Sequence, residues 1–221
     1  MSETTSHKLL MAGRWDILDL YSLPHRYAEV YSFLYALEFS NGAEPYGFRE
    51  IFQRYPWRGG YSAVNFYDDL YQAIPSAERP TIKQIRYASP GFIDVVLYLS
   101  IGLAIGRMVV RFAKQFEEIE EIYHRAYKHL QERRLLSLDV KEKERKLEKD
   151  EIKLIRESYH SLADALGFKK TNALQKLCAD DLGAIKTLFA FYRRLRELAR
   201  FQLDGKVKFS ESDENEDPPK A

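Results

Sequence analysis

Two stretches of the chain carry residue types at the spacing of a metal site. In EEIEEIYH, Glu121 precedes His124 by three positions, and in RESYH the same pattern recurs as Glu157 and His160. Residues three apart share one face of a helix, and Glu-x-x-His is the spacing by which carboxylate-bridged di-iron bundles present two ligands from one helix. The chemistry on offer would be metal coordination by a carboxylate and an imidazole from each of two helices.

Whether those ligands can converge depends on the helices that carry them. From Ser89-Pro90-Gly91 the pattern reads as helix, because serine is a favoured N-cap and proline is accepted at the first helical position. Tyr98, Gly102, Ile105, Val109, Phe112, Phe116, Ile119, Tyr123, Ala126 and Leu130 then recur in alternating steps of four and three, a sustained heptad seam. One helix cannot cover such a seam by itself, so a later helix of the chain or a second copy is expected to pair with it. At about 100° of rotation per residue, Glu121 lies roughly 180° from the seam and His124 roughly 125°. A second inward face is set by Ile152, Ile155, Tyr159, Leu162 and Leu166, with Glu157 again roughly opposite and His160 on the flank. Ligands of a di-iron bundle project into the core, and two further helices supply the remaining carboxylates. Both pairs therefore read as coincidences on a Glu-rich surface, and no metal or other cofactor is expected.

Other catalytic patterns are missing. There is no G-x-S-x-G nucleophile elbow, and Gly59-Gly60 lacks the G-x-G-x-x-G or GK[ST] spacing that lets backbone amides wrap a phosphate. Cys178 falls on an apolar stripe, where a buried thiol is the ordinary outcome, and His25 follows Pro24 with no evident acid or base partner. Ser-Pro-Gly at a helix start offers amides to an anion, yet capping alone accounts for it. No catalytic residue is expected, and the chain reads as a protein without enzymatic activity.

Composition agrees. Lys plus Arg number 34 and Asp plus Glu 33, so the mean field is too weak for a general nucleic-acid coat. The charge is unevenly spread: residues 1–91 carry 9 basic and 10 acidic side chains, residues 92–209 carry 24 and 18, and residues 210–221 carry 1 and 5. The single cysteine permits no intrachain disulfide, and the N-terminal segment has no apolar run of signal-peptide length, so a cytoplasmic location is expected, with membrane association as a variant of it.

The expected fold class is α+β: a small mixed sheet with one or two short helices, followed by a long-helix antiparallel hairpin or coiled-coil-like region. Residues 1–10 read as a flexible N-terminus, 11–91 as an aromatic-rich α+β module, 92–205 as the long-helix region and 206–221 as an acidic disordered tail. Within the module YAEVYSFLYALEF alternates and reads as a strand buried on both faces. Phe48, Ile51, Phe52 and Tyr55 have helical spacing, whereas GYSAVNFY and TIKQIRYA read as strands. The charged run 139–151 reads as a solvated helical stretch, Gly167 as a C-cap, and the residues from Thr171 to Gly205 as one last helix.

Three functions follow as expectations. The first is a non-catalytic interaction or assembly protein, its seam residues Tyr98, Ile105, Val109, Phe112 and Phe116 joining copies or docking a protein partner. The second is a membrane-acting protein, because VVLYLSIGLAIG (95–106) is apolar all round and carries Gly102-x-x-x-Gly106. Twelve residues reach only about 18 Å of a hydrocarbon core of about 30 Å, so this reading needs 92–113 to leave a buried position after some trigger. The third is nucleic-acid binding through a basic ridge of Lys186, Arg193 and Arg200 on the last helix. No small-molecule substrate is expected.

Overall fold

The computed structural model describes residues 4–40, 47–55, 60–88, 91–137, 147–168 and 172–210. The class is α+β. Strand β1 (Thr4–Met11) leads into helices α1 (Ile17–Phe39), α2 (Phe48–Arg54) and α3 (Gly60–Ala73), then strands β2 (Thr81–Arg86) and β3 (Gly91–Tyr98). Helices α4 (Leu99–Lys114), α5 (Phe116–Glu132), α6 (Lys149–Leu166), α7 (Asn172–Leu177) and α8 (Asp181–Leu203) follow, and strand β4 (Val207–Lys208) comes last. The sheet has the order β2-β3-β1-β4 and every pairing is antiparallel, which corrects the mixed sheet expected from sequence. The chain folds into two compact units. One consists of Met1–Tyr35, Ile74–Lys114 and Arg194–Ala221; the other consists of Ala36–Ala73 and Gln115–Arg193.

The first unit is built on the sheet. β1 and β3 pair along their whole length, from Thr4 opposite Tyr98 to Met11 opposite Gly91. One face carries Leu9, Met11, Ile93, Val95 and Leu97, all buried, and α4 packs on β1 and β3. The other face presents Ser6, Lys8, Asp94 and Phe92, where Ser6 Oγ donates to the Asp94 carboxylate and Lys8 Nζ lies 5.6 Å from the Phe92 ring centroid. The N-terminus expected to be flexible is thus a central strand.

Three segments change type relative to the sequence reading. YAEVYSFLYALEF is helical, within α1, because Val30, Tyr31, Ser32, Phe33, Tyr35 and Ala36 are all fully buried. A helix buried over most of its circumference shows little polar face, here only Glu38, so aromatics at alternate positions mimic a strand. Residues 91–98 form a strand instead of the first turns of a helix. Gly91 is required there: a Cβ would lie 2.5 Å from the Arg86 carbonyl oxygen and 2.7 Å from that of Ala88. Ser89 and Pro90, the proposed cap, lie outside the described residues. GYSAVNFY belongs to α3, whose buried Ala63, Phe66, Tyr67 and Leu70, followed by Ile74, have helical spacing once the window extends past Tyr67.

The expected single long helix is two, α4 and α5, with Gln115 between them. The glycines of Gly102-x-x-x-Gly106 serve packing within the chain. A Cβ at Gly102 would lie 2.7 Å from Leu97 Cδ1, and one at Gly106 would lie 1.9 Å from the Ser210 carbonyl oxygen. After β4 the chain therefore runs against α4, with Phe209 buried at 3% exposure. Val207, Lys208 and Phe209 belong to the fold, in contrast to the tail expected over 206–221; residues 211–221 lie outside the described residues.

In the second unit α5 packs against α6, and α2 against α7. Tyr123 and Tyr192 stack at 3.8 Å with an interplanar angle of 8°, and the Tyr192 hydroxyl donates to Glu120. α6 begins with a capping box between Glu148 and Glu151 and ends at Gly167 with φ 87, the left-handed C-cap its sequence suggests. Of the charged run 139–151 read as a solvated helix, residues 139–146 lie outside the described residues. The last helix is interrupted: α7 ends at Leu177 and α8 restarts at Asp181, where Asp180 Oδ1 accepts the Gly183 N–H at 2.6 Å and acts as a new N-cap.

Candidate interaction surfaces

Of the two Glu-x-x-His pairs, Glu121, His124 and Glu157 lie on exposed helix surface with their own ion-pair partners. The side chains of Glu121 and His124 are 72% and 68% exposed; Glu121 pairs with Arg125 at 2.6 Å, and His124 Nε2 lies 3.5 Å from Glu120. Glu157 pairs with Lys153 at 3.8 Å. With His160, Arg156 and Asp164 it lines an open groove of about 690 Å³ along α6. Among the described residues no group of three or more His, Cys, Asp or Glu gathers as a metal site would need. Burial pushes the Cys178 thiol up to about 12, and its sulfur sits 3.8 Å from the Thr187 hydroxyl, so at neutral pH it is an inert core thiol.

The seam proposed as an interface is covered. Ile105, Val109 and Phe112 are 0% exposed, while Tyr98 and Phe116 are half-buried. Tyr98 is the last residue of β3, where its ring meets Tyr35 at 5.9 Å and its N–H donates to the Tyr31 hydroxyl at 3.4 Å. Ile105, Val109 and Phe112 are thus core within one chain and need no second copy to cover them. Val95, Leu97, Ile101 and Ile105 are likewise covered, and among the described residues no helix is long and apolar enough to cross a membrane.

Nor is the basic ridge one exposed face. Lys186 is buried at 6% exposure, and that burial lowers its pKa against the raising effect of Asp180. Arg193 is half-buried and only Arg200 is exposed. The neighbouring Arg194 is buried at 8%, with Nε 3.4 Å from the equally buried Glu29. Glu29 also meets Arg26 at 2.6 Å, and Arg26 bonds Glu197. Burial works against the Arg26 charge, but its bonds to Glu29 and Glu197 outweigh that and hold its pKa above the ordinary value. Part of the last helix's positive charge is thus spent on an internal ion network.

The notable surface lies elsewhere. The large apolar side chains that remain exposed among the described residues are Ile17, Leu18, Leu20, Tyr21, Ile82, Ile85, Tyr87 and Leu203 in the first unit, against Val64 and Tyr127 in the second. They form two runs. At the start of α1, Ile17, Leu18 and Tyr21 are 81%, 69% and 65% exposed. That turn is firmly held: Asp16 Oδ1 accepts the Asp19 N–H at 2.8 Å, Asp19 Oδ2 accepts the Asp16 N–H at 3.1 Å, and Lys206 pairs with Asp19 at 2.7 Å. Just before it, the buried Trp15 stacks on Phe201 at 5.8 Å and donates from Nε1 to the Ala12 carbonyl.

The second run is β2. Every residue of this strand is exposed, on both faces, and it stands at the edge of the sheet with β3 its one partner among the described residues. Ile82 pairs with Val95 and Ile85 with Ile93, so these two extend the apolar face of the sheet outward. The register shifts between Ile82 and Gln84, leaving Lys83 outside the ladder as the residue of a bulge. The strand itself was legible from TIKQIRYA; its exposure was not, because an apolar alternating run reads as core.

Comparison with protein-family models, with curated proteins and with solved structures finds no match, and the reading of these surfaces rests on the chain's own residues.

Proposed function

We propose that the protein is a non-catalytic interaction module that docks another protein through the surface of its first unit. The observation that carries this reading is the concentration of exposed apolar side chains there. Single exposed apolar residues are ordinary, but contiguous ones that a fold holds rigidly in water mark docking surfaces. Ile17, Leu18 and Tyr21 share the first turns of one capped helix, and Ile82 and Ile85 share one face of an edge strand. Assembly through the seam is not part of the proposal, since Ile105, Val109 and Phe112 are already covered.

Photo-crosslinking at single positions tests it. A benzophenone side chain in place of Tyr21 or Tyr87 is expected to give a discrete adduct with a second protein in cells. The same group in place of Lys128, 75% exposed on α5, is expected to give none. Equal adduct patterns from all three positions, or none from any, would contradict the reading.

A further inference from the structure

The geometry points to β2 as an acceptor strand that takes up an extended partner segment, alternating apolar and acidic residues, as the fifth strand of the sheet. The inference rests on the docking role proposed above and specifies how one of the two exposed runs would be used.

Three features carry it. The outer edge of β2 has no partner among the described residues, so a row of backbone N–H and C=O groups is available, and strand addition is a recurrent way to satisfy such a row. Ile82 and Ile85, 47% and 48% exposed, continue the apolar layer formed by Val95 and Ile93. A fifth strand with apolar residues on that face would cover them. The charge is also one-sided: TIKQIRYA carries Lys83 and Arg86 and no acid. Both cations are exposed. Arg86 stands opposite Phe92, on the face away from Ile82 and Ile85, which places the partner's carboxylates on that face and its apolar residues on the other.

A second copy of β2 is the wrong occupant. An antiparallel pair centred on the strand would set Lys83 and Arg86 of each copy along one two-stranded ladder, four cations without a counter-charge. Lysine and a bulge on an edge are devices that keep like strands from pairing. A strand of opposite charge meets the same lysine as an attraction. Six residues at about 3.3 Å each give a platform of about 20 Å, enough for a short segment.

The probe is a capped peptide alternating valine and glutamate, set against a second with lysine for each glutamate, both added to the full chain. Amide hydrogen exchange and isothermal titration read the outcome. The valine-glutamate peptide is expected to slow exchange at 81–87 selectively and to bind at least about tenfold more tightly than its lysine counterpart, with affinity falling as salt rises. K83E/R86E, two exposed changes that should leave the fold intact by circular dichroism, is expected to reverse that preference. Equal affinity for the two peptides, or no slowed exchange at β2, would overturn the inference. So would protection of β2 that rises with protein concentration alone, which would mean a second copy. Failure here together with a protein adduct at position 87 would remove the strand-addition mode and leave the docking role; absence of any adduct would remove the role itself.

Discussion

At one edge of the sheet β4 contributes only Val207 and Lys208, after which the chain buries Phe209 and passes its Ser210 carbonyl against Gly106. At the other edge β2 contributes six residues, none of them buried. Both edges face the same hazard, an unpaired row of backbone groups that can recruit a foreign strand. The β4 edge meets it by being short and by folding an apolar side chain back into the unit. The β2 edge meets it with a bulge and two cations, which discourage a like strand but leave Ile82 and Ile85 in water. The difference separates an edge closed by packing from one guarded by a bulge and by charge, and charge admits a partner of the opposite sign.

The largest effect is expected at the closed edge. Phe209→Ala should cost about 3–5 kcal/mol, as truncation of a buried phenylalanine does, and urea denaturation measures it. A loss under about 1 kcal/mol would mean that this edge is not held by packing. Gly106→Ala should cost about 1–3 kcal/mol, since its Cβ would meet backbone at 1.9 Å rather than the end of a flexible side chain. Amide exchange at Val207 and Phe209 should quicken with it.

At the open edge the stability effect should nearly vanish. Ile82→Thr and Ile85→Thr are expected to move stability by no more than about 0.5 kcal/mol, since both side chains already stand in water. The two edges would lose their distinction if either change cost as much as Phe209→Ala.

The smallest effect is electrostatic and belongs to the closed side, where Lys206 pairs with Asp19 just before β4. The hydrogen bond from Lys206 holds the Asp19 carboxyl below its ordinary value, and the same bond raises Lys206. The Asp19 contribution is complete above its unfolded pKa of about 3.9 and fades as pH falls through the lower folded value. The Lys206 contribution is complete below its unfolded pKa of about 10.4 and fades as pH rises through the higher folded value. Lys206→Met should therefore cost at most about 1 kcal/mol near neutrality, and the gap from the parent chain should close at both extremes. A gap that stayed constant with pH would mean that lost packing, not the ion pair, explains it.

Much of this was legible in the sequence where an element has two different sides. α2 and α6 show an apolar stripe against a polar face, and Gly167 marks where α6 stops. α1 gave no such contrast: Tyr31, Phe33 and Tyr35 are buried, and so are Val30, Ser32 and Ala36 at the alternate positions, so a period of two and a period of 3.6 fit equally well. β3 was hidden by a glycine that looked like part of a helix cap and is instead demanded by the carbonyls of Arg86 and Ala88. The seam from Tyr98 to Leu130 was visible as apolar spacing, yet spacing cannot tell a surface awaiting a partner from one covered by the same chain. The candidate surface was missed for the converse reason. Ile82 and Ile85 look like core, and only the sheet order places them at an uncovered edge.

The open edge can be examined directly by amide hydrogen exchange along β2 in the free, full-length chain at several protein concentrations. Fast exchange, independent of concentration, is expected for the β2 amides that point away from β3, beside slow exchange for the amides that β1 and β3 bond to each other. Slow exchange at every β2 amide in the free chain would contradict that expectation, because the edge would then already be paired.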